Sequence, residues 1–256
     1  MREVFMWSRK MMVMMVMMAC CWCAVAGGAA CAQLSGTSGA LDARQKSIVP
    51  IAAFAANGQT GKLRGALADG LDAGLTVSEI KEVLIQMYAY TGFPRSLMAL
   101  ETFRTLLGER EAQGIRDEAG REPTPLPPGT DIRQYGTAIQ TKLVGRPVTG
   151  PVYEFAPAID TFLKEHLFGD IFVRDVLDFR QRELATVSAL ATLPAEAQLR
   201  SHLKVCLNAG LTAPQLREFV SVLKERVGPA EAELADRLLE TVLRENRQDG
   251  IDKGGK

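Results

Sequence analysis

Cysteine is nearly absent from the body of this chain. Four of the five, Cys20, Cys21, Cys23 and Cys31, crowd the N-terminus, and only Cys206 follows. One thiol cannot build an internal disulfide framework, so packing must hold the fold. Histidine is as scarce. His166 and His202 stand far apart, without clustered acids or cysteines, and make no metal-ligand set. Net charge is missing too: 30 basic residues balance 30 acidic ones with no basic stripe, which argues against nucleic acid as the main partner. No stretch shows the alternating pattern of a strand, so the fold class is all-α. The uncharged apolar run from Met11 to Ala26 is shorter than the ~20 residues of a membrane-spanning helix.

That run has another reading. Arg2, Arg9 and Lys10 precede it and small residues follow, the layout of a secretory signal peptide over residues 1–32. Ala30-Cys31-Ala32 fits small-x-small cleavage, and export to the periplasm is expected. The alternative is a lipoprotein anchored through Cys31. Gly28 stands where such a signal prefers an aliphatic residue.

Beyond the leader the chain repeats itself. Leu41-Asp42-Ala43-Arg44-Gln45 returns as Leu177-Asp178-Phe179-Arg180-Gln181, and Ala73-Gly74-Leu75-Thr76 returns as Ala209-Gly210-Leu211-Thr212. Position 177 against 41 and position 209 against 73 give the same offset of 136. Glu82 with Glu218 and Gly92 with Gly228 keep that register. One long period means a duplicated domain, not a solenoid. The first copy is assigned to residues 36–115 and the second to 151–247, with a Pro/Gly-rich connector over 116–150 and a frayed polar tail over 248–256. The copies are expected to share a core.

Helix signals recur in both copies. Leu41–Ala55 and Leu63–Ala73 are candidate helices, and Gly74 suits a left-handed cap. Thr76 with Glu79 forms a capping box, repeated as Thr212 with Gln215. Gly92-Phe93-Pro94 ends the third helix and begins a fourth, to about Leu107. Arg121–Gly129 reads as an extended proline-rich connector, and Pro157–Leu167 as a short extra helix.

These residues carry a family resemblance. Phe168-Gly169-Asp170, the stretch from Leu177 to Val187, and Gln198-Leu199-Arg200-Ser201-His202-Leu203 followed by Leu207–Thr212 resemble the carboxymuconolactone decarboxylase family, which includes the alkylhydroperoxidase D-like proteins. Tyr88–Pro94 looks like the late-helix signature in the first copy. The resemblance implies two tandem all-α units and a homo-oligomer, with a trimer of two-copy chains imitating a hexamer of single ones. It also implies a site. The peroxidase branch uses a glutamate, a Cys-x-x-Cys pair and a histidine. Here the glutamate falls on Glu183 and the histidine on His202, but the thiols fall on Ala195 and Gln198. In the first copy the four positions are Ser47, Gln59, Lys62 and Ala66, so any chemistry belongs to the second.

Spacing alone brings Glu183 and His202 together. One lies eleven residues before Pro194 and the other eight after it. In an antiparallel hairpin that mismatch is an axial offset of roughly 4–5 Å. A carboxylate orients an imidazole and raises its basicity, which makes an acid/base couple. Arg95, behind Phe93-Pro94, is a candidate clamp for a substrate carboxylate, or else a surface charge in a first helical turn. Cys206, one turn after His202, is a candidate substrate-binding residue, or else a small core residue. His166 reads as part of a solvated face or a subunit contact.

The expected function is an exported, cofactor-free acid/base lyase or isomerase, without metal, acting on a small carboxylate or lactone. The alternatives are an alkylhydroperoxidase-like antioxidant of peroxiredoxin type, despite the missing thiols, and a non-catalytic binding or assembly module.

Overall fold

The computed structural model describes residues 39–254. The leader, the cleavage position at Ala32 and Cys31 lie outside the described residues. The described residues from Gly39 onward form one compact unit, so both copies belong to a single body.

The first copy contributes α1 (Ala43–Asn57), α2 (Thr60–Asp72) and α3 (Val77–Ala112). Helix α3 bends at Gly92, whose φ of 78° and ψ of 164° leave the helical region just before Pro94. The connector leads to α4 (Ile132–Val144), α5 (Pro151–Phe155), α6 (Pro157–Thr161) and α7 (Phe162–Ile171). The last three of these already lie within the second copy, which continues as α8 (Phe179–Ala191), α9 (Glu196–Asn208), α10 (Ala213–Arg226) and α11 (Pro229–Gly254). Among the described residues there is no strand.

Each copy begins with the same device. The Asp42 carboxylate accepts from the Gln45 backbone N–H at 2.8 Å, and Asp178 accepts from Gln181 at 2.8 Å. The glutamine side chains return the bond to the cap residue's N–H, closing both boxes. The helices so started are not amphipathic. Ser47–Ala56 in α1 and Arg182–Ala191 in α8 are buried without a break. A helix buried all round belongs at a centre. One hydrophobic core joins Ile48, Ala52 and Leu67 of the first copy to Leu184, Leu199 and Phe219 of the second.

Ion pairs follow the duplication across the copies. Lys46 meets Glu218 at 2.6 Å, and the equivalent Arg182 meets Glu82 at 3.0 Å. Within each copy, Arg64 pairs with Glu109 and Arg200 with Glu245, again at equivalent positions.

The chain between the copies departs from its reading as a plain connector. Residues 115–127 carry no regular secondary structure, and Pro128-Gly129 forms a turn. They are tied down: Val77 and Ser78 donate to the carbonyls of Glu118 and Ala119, each at 2.9 Å. Residues 132–144, however, form α4, begun by Asp131, whose carboxylate accepts from the Gln134 N–H at 2.9 Å. Helix α4 lies against α7 at backbone distance. A Cβ on Gly136 would stand 1.8 Å from the Lys164 carbonyl oxygen. Ile139, Leu143, Phe168, Phe172 and Val205 form a second, smaller apolar cluster there. The extra helix expected over 157–167 is two elements, α6 and then the wider turns of α7. There the Phe172 N–H reaches back five residues to Leu167 at 2.9 Å. The last helix runs on to Gly254 where a frayed tail over 248–256 was expected. A helix already nucleated extends at one bond per residue fixed.

Candidate active site

Helices α8 and α9 form a hairpin turned at Leu193-Pro194. Glu183 sits in the second turn of α8, fully buried, and His202 in the middle of α9, with 21% of its side chain exposed. Across the hairpin, His202 Nδ1 lies 2.8 Å from Glu183 Oε2. The three-residue mismatch in the sequence is thus small enough for the side chains to meet. The carboxylate bond at Nδ1 leaves Nε2 without a hydrogen-bond partner among the described residues, so a neutral ring protonated at Nδ1 keeps a lone pair at Nε2. Glu183 Oε1 is buried and also has no partner.

A cavity of about 320 Å³ opens beside this pair. Glu183, Ser201, His202 and Val205 form one wall, Leu163, Leu167 and Phe168 of α7 a second. The third wall comes from the chain between the copies, through Gln140, Leu143 and Arg146, together with Tyr153 of α5. Two wider surface hollows, of about 580 and 600 Å³, lie elsewhere and touch neither Glu183 nor His202. The larger holds His166, which bonds Asp170 at 2.7 Å and stands edge-on to Tyr88 at 5.4 Å. His166 is therefore half-buried and paired, not a freely solvated residue.

The first copy supports the site from behind. Tyr90, from α3, stands edge-on to the His202 ring, with centroids 6.1 Å apart. Its hydroxyl lies 3.1 Å from Thr186 Oγ1. The Gln86 side-chain amide donates to both Thr186 Oγ1 and the Arg182 carbonyl at 2.9 Å. Arg182 is fully buried, with its guanidinium 3.0 Å from Glu82. Arg174 binds the same carboxylate at 2.7 Å. Burial pushes the Tyr90 phenol far above its ordinary range, and the Glu183 carboxylate adds to the effect. The phenol is neutral at every physiological pH.

Two expected substrate-binding residues are placed elsewhere. Arg95 does not line the cavity. Its guanidinium donates to the Ala56 carbonyl, in the last turn of α1, where backbone acceptors lack helical partners. Cys206 is fully buried in the main core. Burial raises its thiol well above the ordinary value, with the Glu183 charge second. At the first-copy positions, the Ser47 hydroxyl donates to the Ala43 carbonyl at 3.0 Å, and Ala66 is core. Gln86, Tyr90, Gln140 and Arg146 escaped the sequence reading. Tyr90 lay within the Tyr88–Pro94 signature, a signal that was available. The other three lay in a helix face and a connector with no pattern to mark them.

The sequence pattern of the carboxymuconolactone decarboxylase family matches residues 15–104 and 157–240. The first match begins inside the apolar N-terminal run, and neither includes α4 or Arg146. Over 96 residues the chain is 28% identical to the 4-carboxymuconolactone decarboxylase of Acinetobacter baylyi, an alignment covering 35% of this chain and 72% of that protein.

Proposed function

Because this chain belongs to the carboxymuconolactone decarboxylase family, we propose that its second copy is a cofactor-free acid/base site acting on a small carboxylate or lactone. The observation that carries this reading is the 2.8 Å bond from His202 to a fully buried Glu183 at the edge of a cavity. The similarity to a 4-carboxymuconolactone decarboxylase supports a decarboxylase-like reaction.

The chemistry is set by the pair. In a decarboxylation, the bond between the carboxylate carbon and its neighbour breaks. Carbon dioxide leaves, and the electron pair moves into a conjugated carbonyl as an enolate. His202, protonated at Nε2, gives its proton to the carbon that lost the carboxylate, then regains one from water. In an isomerisation the same nitrogen removes a proton from one carbon and returns it to another. Glu183 holds the ring by Nδ1 and stabilises its charged form, as carboxylates do beside catalytic imidazoles. The apolar side chains that α4 and α7 bring to the cavity wall strengthen that interaction by lowering the local dielectric.

A thiol route finds no support in this geometry. Cys206 is buried away from the cavity lining, and Ala195 and Gln198 occupy the positions where the peroxidase branch carries thiols. Export through residues 1–32 belongs to the same proposal, as does assembly into a homo-oligomer. The exposed Phe93, Leu97, Phe155 and Phe162 support such a contact.

The test is turnover of 4-carboxymuconolactone and related unsaturated carboxylates, followed as released carbon dioxide. His202→Ala and Glu183→Gln should each slow turnover by about 10²–10⁴-fold. Turnover by the parent protein that survives His202→Ala would remove the histidine from the mechanism. No turnover of any lactone or unsaturated acid would favour a binding module.

A further inference from the structure

We propose that Arg146 is the anion clamp of this cavity, and that the chain between the copies thereby selects a small carboxylate over a neutral lactone. This rests on the acid/base reading for where the substrate reacts, but not for whether it binds.

The electrostatics of the lining point to an anion. Arg146 is the one lysine or arginine on the cavity wall, and Glu183 is the one acid. Glu183 is already engaged with His202. Arg146 is solvent-exposed and makes no ion pair or hydrogen bond among the described residues, while Arg174 and Arg182 are both held by Glu82. An unpaired guanidinium presents a planar fork of N–H donors that matches a carboxylate bidentately.

Its position is built by local structure. Helix α4 ends at Gly145, whose φ of 81° turns the chain in the left-handed region that favours glycine. The side chain of Asn208, the last residue of α9, donates to the Leu143 carbonyl at 3.0 Å. The turn that carries Arg146 is therefore tied to the helix that carries His202.

The cavity, at about 320 Å³, stands at the small end of the range for ligand sites.

Arg146 lies outside the stretches that match the family, while Glu183 and His202 lie within one.

Calorimetric titration of the mature protein with 4-hydroxybenzoate, benzoate and 4-hydroxybenzamide tests the assignment. The two acids should bind more tightly than the amide. Arg146→Gln should weaken 4-hydroxybenzoate and benzoate by about tenfold or more and leave the amide unchanged, and Arg146→Lys should recover part of the loss. Equal affinity of the parent and Arg146→Gln for 4-hydroxybenzoate overturns the proposal, as does a parent protein that binds none of the three. The two readings fail separately. If His202→Ala abolishes turnover while Arg146→Gln binds normally, the clamp is wrong and the acid/base pair stands. If Arg146→Gln loses binding while His202→Ala turns over normally, the reverse holds.

Discussion

Tyr90 and His202 come from different copies of the duplication, yet their rings meet edge-on, with centroids 6.1 Å apart and planes at 79°. The first copy carries Ser47 and Ala66 where the second carries Glu183 and His202, and it lends Tyr90 to the proposed site. Tyr90 is one contact through which it acts. Tyr90→Phe keeps the ring and loses the hydroxyl beside Thr186, which should cost about 1 kcal/mol of stability and leave the His202–Glu183 bond in place. Tyr90→Ala removes the ring and should free the imidazole. The downfield proton resonance of the Nδ1–H bond is the measurement. It should persist in the phenylalanine variant and broaden in the alanine one.

Glu82 and Glu218 are equivalent by sequence and unequal by burial. Glu82 holds Arg182 and Arg174 with 3% of its side chain exposed, while Glu218 holds Lys46 with 24% exposed. Glu82→Gln leaves a fully buried arginine without its counter-charge and should cost about 3–5 kcal/mol in chemical unfolding. Glu218→Gln leaves a half-exposed lysine that water can solvate, and should cost about 1 kcal/mol or less. Equal losses would show that burial does not govern these pairs.

Gly136 is the point where α4 touches α7. Its place leaves no room for a side chain, since a Cβ would meet the Lys164 carbonyl and the Gly169 nitrogen. Backbone cannot swing aside as a flexible side chain can. Gly136→Ala should part the two helices, destabilise the protein by about 1–3 kcal/mol, and raise amide hydrogen exchange over residues 132–171 more than in α1 or α8. Uniform exchange with unchanged stability would contradict the close packing.

Alkaline pH should weaken the fold through Cys206 and Tyr90. Burial raises both groups above their ordinary values of 9.0 and 10.0. The unfolded chain releases these protons first, so the stability they contribute is intact below about pH 9 and falls as pH rises beyond it. The fall should approach about 1.4 kcal/mol per pH unit for each group in turn. Cys206→Ala should shift its onset from near pH 9 to near pH 10, read by denaturant unfolding across pH 8–11. The native thiol should also resist a thiol reagent at pH 8 and react only on unfolding.

Much of this architecture was legible in one dimension. Asp42 and Asp178, Thr76 and Thr212, and the break at Gly92 mark helix ends through bonds spanning three or four residues, so local sequence suffices to find them. The Glu183–His202 pair was also within reach, because a short turn fixes the register of two helices and nineteen residues separate the partners. The absence of thiols at Ala195 and Gln198 was legible through the family resemblance. What the sequence alone could not decide lies at longer range. Gln86 reaches Thr186 across 100 positions, and Asn208 fixes α4 across 65. Helix α4 itself was hidden in a stretch bounded by prolines and glycines, and its apolar face has meaning only against α7. Arg95 and Cys206 looked like binding residues until packing gave one a helix end to cap and the other a core to fill. Local bonding set where each helix begins. Which polar groups face one cavity was decided by how the two copies close around a shared core.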